Sequence, residues 1–187
     1  MSELPLETNE HREHAEHAAH ARDPFITRVS ITIAMLAVAT ALIGSLEITE
    51  NGGAITASSR AVLAQDRATD AWGAYQAASL KKHLYDLEGD AQPARAADYK
   101  RQSAKYDADQ ARYSGGAKAQ ETARDGALEE SEAHEHRHHR LTIAAALLQI
   151  GIAISTVAIV TGRRAFWWGS LVLGVLGGLT GASAFLG

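Results

Sequence analysis

The chain has 187 residues, of which 46% are hydrophobic and 21% are charged, and its formal net charge is −4. Its lysines and arginines are dispersed and form no basic stripe for a phosphate backbone, so we expect no nucleic acid partner. The absence of cysteine excludes disulfides, thiolate metal sites and thiol catalysis. No nucleophile, paired carboxylates or phosphate-binding loop occurs in a context that favours catalysis, so we expect a protein that is not an enzyme and needs no cofactor.

The first segment, residues 1–24, is a polar tail rich in glutamate and histidine. Four of its histidines each follow a glutamate by four residues, which gives each of them a carboxylate neighbour if the tail is helical: His11, His14, His17 and His20. The tail lacks the basic start of a signal peptide, so we expect the apolar run behind it to be retained as an anchor. Asp23-Pro24 predicts an N-cap and a proline at the first position of a helix.

Three apolar runs follow, at residues 25–46, 141–161 and 165–187. About 20 helical residues cover the roughly 30 Å of hydrocarbon in a bilayer, and each run has that length. We therefore predict an all-α membrane protein with three transmembrane helices in contact with membrane lipid.

The polar insert between the first two spans, residues 47–140, predicts a long helical hairpin that resembles a coiled coil. It has few large apolar residues, but its alanines alternate at intervals of three and four, which is typical of a seam with a small-residue core. The first arm, 54–88, carries Ala54, Ala57, Ala61, Ala64, Ala68, Ala71, Tyr75 and Ala78. The second arm, 94–140, carries Ala94, Ala97, Arg101, Ala104, Ala108 and Ala111.

Glycine-containing segments predict where the helices of the insert are interrupted. We expect the membrane-proximal helix to end at residues 51–53, and the turn between the two arms to lie at residues 89–93. A kink in the second arm is expected at residues 114–116.

A line of tyrosines on the second arm predicts a contact with another molecule. Tyr99, Tyr106 and Tyr113 recur every seven residues and lie off the alanine seam. If the alanine seams of the two arms face each other, these tyrosines point outward. We therefore expect them to contact another subunit or another protein.

The third span carries small residues at intervals of four, namely Ser170, Gly174, Gly178 and Ala182. Gly177 and Gly181 form an overlapping pair. Such a groove lets two helix backbones approach closely, which is a principal source of helix association in lipid. The pattern has two explanations. One is packing of the third span on Gly151 and Ser155 of the second span, and the other is contact with another subunit.

Arginines close to the membrane ends predict the orientation. The side of the tail has five of them, Arg12, Arg22, Arg28, Arg163 and Arg164, and the side of the insert has three, Arg60, Arg137 and Arg140. Cytoplasmic segments carry the excess of positive residues. We expect a cytoplasmic N-terminus and a periplasmic insert if the membrane is the bacterial inner membrane.

Two histidine clusters are candidate metal sites. Neutral imidazoles three or four residues apart on a helix can share a zinc, copper or nickel ion. One cluster is the set of four tail histidines, and the other is the pair His134 and His138. Solvated helix faces with pairing between glutamate and histidine explain the same pattern, and protonation near pH 6.5 would also permit pH sensing.

Two stretches of the sequence carry a resemblance to a known family. They are Trp72-Gly-Ala-Tyr75-Gln76 and, shortly after His138-His139-Arg140, Leu148-Gln-Ile-Gly-Ile-Ala-Ile-Ser155. Together they resemble a bacterial membrane family catalogued as domain of unknown function 4337, over roughly residues 28–187. The resemblance implies a three-span inner-membrane protein with a helical insert, and it implies no activity.

From these features we expect a self-associating scaffold, or an accessory subunit of a membrane complex, that acts through its helical stalk and glycine-rich third span. Two alternatives stay open. One is a homo-oligomeric channel or transporter whose path is lined by hydroxyl side chains, namely Ser30, Thr32, Thr40, Ser45 and Thr180. The other is a membrane protein that binds divalent metal through its histidine clusters.

Overall fold

The structure, a computed structural model, describes residues 23–186 and is built from three long helices. Helix α1 is Pro24–Ala91, α2 is Ala96–Thr161 and α3 is Arg164–Ser183, with a short 3-10 helix, Pro93–Arg95, between α1 and α2. The described residues contain no strand. Each of the three long helices contains a stretch that is long and apolar enough to cross a membrane. The predicted all-α class with three long apolar helices is confirmed.

Local signals set the helix ends. The side-chain oxygen Oδ1 of Asp23 accepts a hydrogen bond of 2.8 Å from the backbone N–H of Phe25, so the predicted cap and the helix start at Pro24 are confirmed. Helix α2 ends where Gly162 adopts a φ of +65°, a conformation that glycine reaches without steric cost. The N–H of Gly162 donates to the carbonyl of Ala158 at 3.0 Å and closes the last turn.

Only one of the three predicted interruptions ends a helix. The turn at residues 89–93 is confirmed, because α1 ends at Ala91 and the 3-10 helix begins at Pro93. The expected helix end at residues 51–53 is wrong, since α1 runs through it, and α2 runs through residues 114–116 as well. A glycine inside a helix costs about 1 kcal/mol relative to alanine, and this cost does not end a helix whose other residues pack against a neighbour.

The described residues form two compact units. One combines the chain up to Ile48 with the chain from Arg137 onwards, and we call it the apolar unit. The other is Thr49–His136, which we call the polar unit.

In the apolar unit, the three helices share a core of small and aliphatic side chains. Its fully buried residues include Val29 from α1, Leu141, Leu148 and Ser155 from α2, and Ser170 from α3. The indole N–H of Trp167 donates to the hydroxyl of Thr32 at 3.1 Å, which joins α3 to α1. Arg140 donates to the carbonyl of Ser183 at 2.7 Å, so a cation lies at the C-terminal end of α3, where the helix dipole favours it.

Glycines bring α3 close to its neighbours in this unit. A β-carbon on Gly177 would lie 3.0 Å from Leu148 Cγ and 3.1 Å from the carbonyl oxygen of Ala144. One on Gly151 would lie 3.3 Å from the carbonyl oxygen of Ser170. These approaches confirm that the small residues of α3 and Gly151 of α2 pack together within the chain.

In the polar unit, the second half of α1 packs against the first half of α2. The alanines predicted for the seam of the first arm are on the buried side of α1, and six of them are buried: Ala54, Ala57, Ala61, Ala64, Ala68 and Ala78. Lys82 pairs with Asp107 and Arg60 with Glu130. Residue numbers thus increase in opposite directions along α1 and α2. The two arms are therefore antiparallel.

The approach at Gly177 generates a prediction with a built-in control. We expect Gly177→Val to destabilise the fold by about 1–3 kcal/mol, because the added atoms collide with the backbone of Ala144 as well as with Leu148. Gly178→Val is the matched control, since a β-carbon there meets nothing within 4 Å. Thermal unfolding followed by circular dichroism in detergent micelles measures both. Equal melting temperatures would contradict the packing of α3 described here.

Candidate functional site

Polar side chains link the two arms of the polar unit along its length. The indole N–H of Trp72 donates to Glu121 at 2.8 Å, and Arg60 pairs with Glu130 at 2.9 Å. The hydroxyl of buried Ser131 donates to the carbonyl of Ala54 at 3.1 Å. These contacts fix the register of the two arms.

Aromatic rings fill the space between the arms near the turn. Tyr106 stacks on Tyr85 of α1 with ring centroids 5.7 Å apart, and Tyr99 lies 6.2 Å from the same ring. Tyr99, Tyr106 and Tyr113 are all half-buried. The prediction that the tyrosine line points outward is therefore wrong, because the larger rings bury more area between the arms than alanine methyl groups would. Their contact with another subunit stays a prediction.

An ion pair links the two arms at the same end of the polar unit, near the turn. Lys82 of α1 donates to the carboxylate of Asp107 of α2. This hydrogen bond raises the pKa of Lys82 above its ordinary value of 10.5. The pair therefore contributes to stability at neutral pH, and the part of this contribution that comes from the raised pKa of Lys82 is lost as the pH rises through that pKa.

The predicted alanine seam of the second arm is exposed instead. Arg101 and every alanine of that seam, from Ala94 to Ala111, lie on the surface. The exposed line of small residues continues along α2, and we call it the small-residue groove: Ala97, Ala104, Ala108, Gly115, Ala119 and Gly126. A β-carbon on Gly115 or Gly126 would meet nothing within 4 Å. Within residues 23–186, no contact requires glycine at these two positions.

Helix α1 has an exposed apolar line of its own in the polar unit. Leu80, Leu84 and Leu87 are 65%, 54% and 65% exposed, and we call them the leucine ridge. Their spacing places them on one side of the helix. Leu80 follows buried Ala78 by two positions, or about 200° around the helix, so the ridge faces away from the alanine seam.

His134 of α2 lies against Glu50 of α1 within the polar unit. Its Nδ1 atom is 2.6 Å from Oε2 of Glu50, and both side chains are mostly buried. A β-carbon on Gly53 would lie 2.6–2.9 Å from three atoms of the imidazole ring. Gly53 therefore leaves the space that the ring occupies.

His138 has a comparable neighbour in the apolar unit. Its Nδ1 atom is 3.9 Å from Oε1 of Glu47, beyond hydrogen-bond distance. The hydroxyl of Thr142 donates to that same carboxylate oxygen at 2.6 Å. No pattern in the sequence marks Glu47, Glu50 or Thr142 as site residues. The only signal was two glutamates three residues apart on α1 and two histidines four residues apart on α2.

The predicted metal ligands divide into two groups. His11, His14, His17 and His20 lie outside the described residues. His134 and His138 each lie near one glutamate, and residues 23–186 contain no group of three or more His, Cys, Asp or Glu side chains that could hold a metal ion. Metal binding by the two histidine clusters stays a prediction.

The predicted small-residue line of α3 divides between buried and exposed positions. Ser170 is fully buried, and a β-carbon on Gly174 would lie 2.7 Å from Leu36 of α1. Gly178 and Ala182 are exposed. The buried part therefore packs within the chain, and the contact with another subunit stays a prediction.

Three of the five hydroxyl residues expected to line a polar path bond within their own helices. Thr32, Thr40 and Thr180 each donate to the backbone carbonyl four residues earlier. Such bonds satisfy a hydroxyl in an apolar environment. The structure therefore gives no separate support to a polar path along these residues.

Comparison with known proteins identifies the family. The family described as "Domain of unknown function (DUF4337)" matches residues 25–187. The chain belongs to the DUF4337 family. No curated protein and no solved structure matches it.

The stretches that resemble DUF4337 have structural roles in this member. Trp72 bonds to Glu121 and packs edge-to-face on Tyr75 with ring centroids 5.5 Å apart, so the first stretch joins the two arms. In the second stretch, Leu148 and Ser155 are buried in the apolar unit. Both stretches hold helices together.

The contact between Gly53 and His134 generates a second prediction for this DUF4337 chain. Gly52→Ala should stabilise the protein by about 0.5–1 kcal/mol, because alanine is the better helix former and a β-carbon there meets nothing within 4 Å. Gly53→Ala should instead destabilise it, since displacing the imidazole costs about 1–3 kcal/mol. Melting temperatures of the two variants, measured by circular dichroism, should move in opposite directions. An equal rise in both would contradict the tight contact with His134.

Proposed function

We propose that this DUF4337 chain is a three-span protein of the bacterial inner membrane, with a cytoplasmic N-terminus and a periplasmic polar unit. The three apolar helices support insertion, because many of their large side chains are exposed in the apolar unit, among them Met35, Leu42, Val160 and Leu179. Trp167 and Trp168 follow Arg163 and Arg164 at the turn between α2 and α3, as in interfacial anchors. The arginine count supports the orientation.

The function that we propose is that of a non-enzymatic scaffold, which self-associates or serves as an accessory subunit of a membrane complex. One observation carries this proposal: both arms of the polar unit have an exposed apolar line on the side away from their partner arm. These lines are the leucine ridge of α1 and the small-residue groove of α2. Exposed apolar lines of this length on a charged segment are typical of interaction surfaces.

Burial inside the polar unit supports the same proposal. The buried positions of its α1 arm are alanines, which contribute little apolar area each. The ion pairs between the arms are exposed, and exposed ion pairs stabilise proteins by only about 0–1 kcal/mol. Covering the leucine ridge would add more buried apolar area than either kind of contact.

The orientation can be tested with single cysteines, because the natural chain has none. A membrane-impermeant maleimide should label Lys118→Cys in cells with a permeabilised outer membrane, since this position is exposed in the polar unit. Arg163→Cys, in the turn between α2 and α3, should be labelled only after the inner membrane is opened. The reverse pattern would reverse the orientation, and equal labelling of both would contradict insertion.

Self-association can be tested by native mass spectrometry in nanodiscs formed directly from the membrane. We expect masses that are multiples of the 19.9 kDa chain, or a constant complex with another protein. Leu84→Glu should lower the associated fraction about tenfold, because it places a charge on the ridge. Gln102→Glu, which adds the same charge at an exposed position outside the ridge and the groove, should leave it unchanged. A folded monomer without a copurifying protein would overturn the proposal.

A further inference from the structure

The leucine ridge and the small-residue groove are complementary in shape. The ridge consists of large branched side chains that project from α1. The groove on α2 has alanine or glycine at intervals of four and seven residues, so the backbone lies close to the surface there. Arg101 lies on the same side between Ala97 and Ala104, where it pairs with Asp98. Large side chains of one helix that enter spaces between small residues of another give close helix packing.

The charges beside the two surfaces are also complementary. Near the turn, the ridge has exposed Glu88 on one edge and exposed Asp90 on the other. The groove has exposed Lys100 on one edge and exposed Lys105 on the other, five positions or about 140° apart around the helix. These charges make an acidic border on α1 and a basic border on α2.

Two exposed charges of the opposite sign lie near the same edges, Lys81 on α1 and Asp107 on α2. Both are engaged inside the chain: Lys81 lies over the ring of Tyr106, 5.5 Å from its centroid, and Asp107 pairs with Lys82.

The register of the polar unit places one charge of each border at the same level. Lys82 lies opposite Asp107, and Asp86 accepts a hydrogen bond from Ser103. By the same register, Asp90 is level with Lys100 along the two antiparallel arms. Copies held in one membrane and related by rotation about its normal keep every residue at the same height. The acidic border of one copy can therefore meet the basic border of the next.

We propose that the leucine ridge of one copy of this chain packs into the small-residue groove of a second copy. The inference rests on the proposed self-association in the membrane and specifies its surfaces. Because the contact joins two different surfaces, each copy keeps a ridge on one side and a groove on the other. Such a contact is heterologous, and it builds a ring or an open row of copies rather than a closed pair.

Two single-cysteine variants test this contact in the full-length chain in its native membrane. Leu84→Cys lies on the ridge and Ala104→Cys in the groove at nearly the same level. When differently tagged versions are co-expressed and oxidised, we expect a mixed disulfide dimer at least about ten times more abundant than either homodimer. Leu84→Cys with Gln102→Cys is the matched control, because Gln102 lies outside the groove.

The double variant, Leu84→Cys with Ala104→Cys, gives a second readout. A ridge-to-groove contact should link it into a ladder of dimers, trimers and larger products on a non-reducing gel. A disulfide-bonded dimer of Leu84→Cys alone would show ridges packing on each other, and would overturn the inference. The inference would also be overturned if oligomers form in nanodiscs but neither the mixed disulfide dimer nor the ladder appears. That result would leave the proposed self-association intact.

Charge reversal tests the borders of the two surfaces. Asp90→Lys should lower the yield of the mixed disulfide about threefold or more, and Lys100→Asp in the other copy should restore it. Circular dichroism of each variant separates this effect from a loss of folding. An unchanged yield in Asp90→Lys would overturn the role assigned to the charges.

Discussion

The close packing of two antiparallel helices on alanine is the constraint on which the polar unit depends. Alanine lets helix axes approach closely, but each methyl group removes little apolar area from water. The seam of α1 therefore sets the distance between the arms without supplying a large core. Stability must come from contacts that reach across, such as those of Trp72, Tyr85 and Ser131.

Small residues have a related role in the apolar unit, where glycine replaces alanine. Gly177 and Gly151 bring backbone atoms of α2 and α3 close together. In the membrane that we propose for this unit, such close packing substitutes for the hydrophobic effect, because lipid does not distinguish the inside of a bundle from its surroundings. The two units thus use the same type of contact. Leu148 and Gly151, in the second of the two stretches that resemble the DUF4337 family, belong to these contacts.

Local signals in the sequence were sufficient to predict much of the fold. The start of α1 at Asp23-Pro24, the turn before Pro93 and the buried alanine line of α1 each depend on a few neighbouring residues. The buried side of α2 could not be predicted in the same way. That helix carries two periodic lines, one of alanines and one of tyrosines, and only the shape of the facing arm decides which line is buried.

Features that depend on distant residues were also missed. The glycines at 52 and 53 predict a break when they are considered alone, but Gly53 makes room for the ring of His134, far away in sequence. The partner of His134, Glu50, could not be identified from spacing either. The same limit applies to the candidate surfaces, because an alanine line predicts a contact without indicating whether that contact lies inside the chain.

The antiparallel register also restricts how the lengths of the arms can change in evolution. One residue inserted into the seam of α1 would turn every following position by about 100°, and would move the alanines beyond it onto the surface. An insertion of seven residues nearly restores the face, but it also shifts Lys82 away from Asp107 by two turns. Only a matching insertion in α2 recovers both the buried face of α1 and the pairing of Lys82 with Asp107. The polar unit should therefore change length in paired heptads, whereas Gln92, between the helices, can accept single residues.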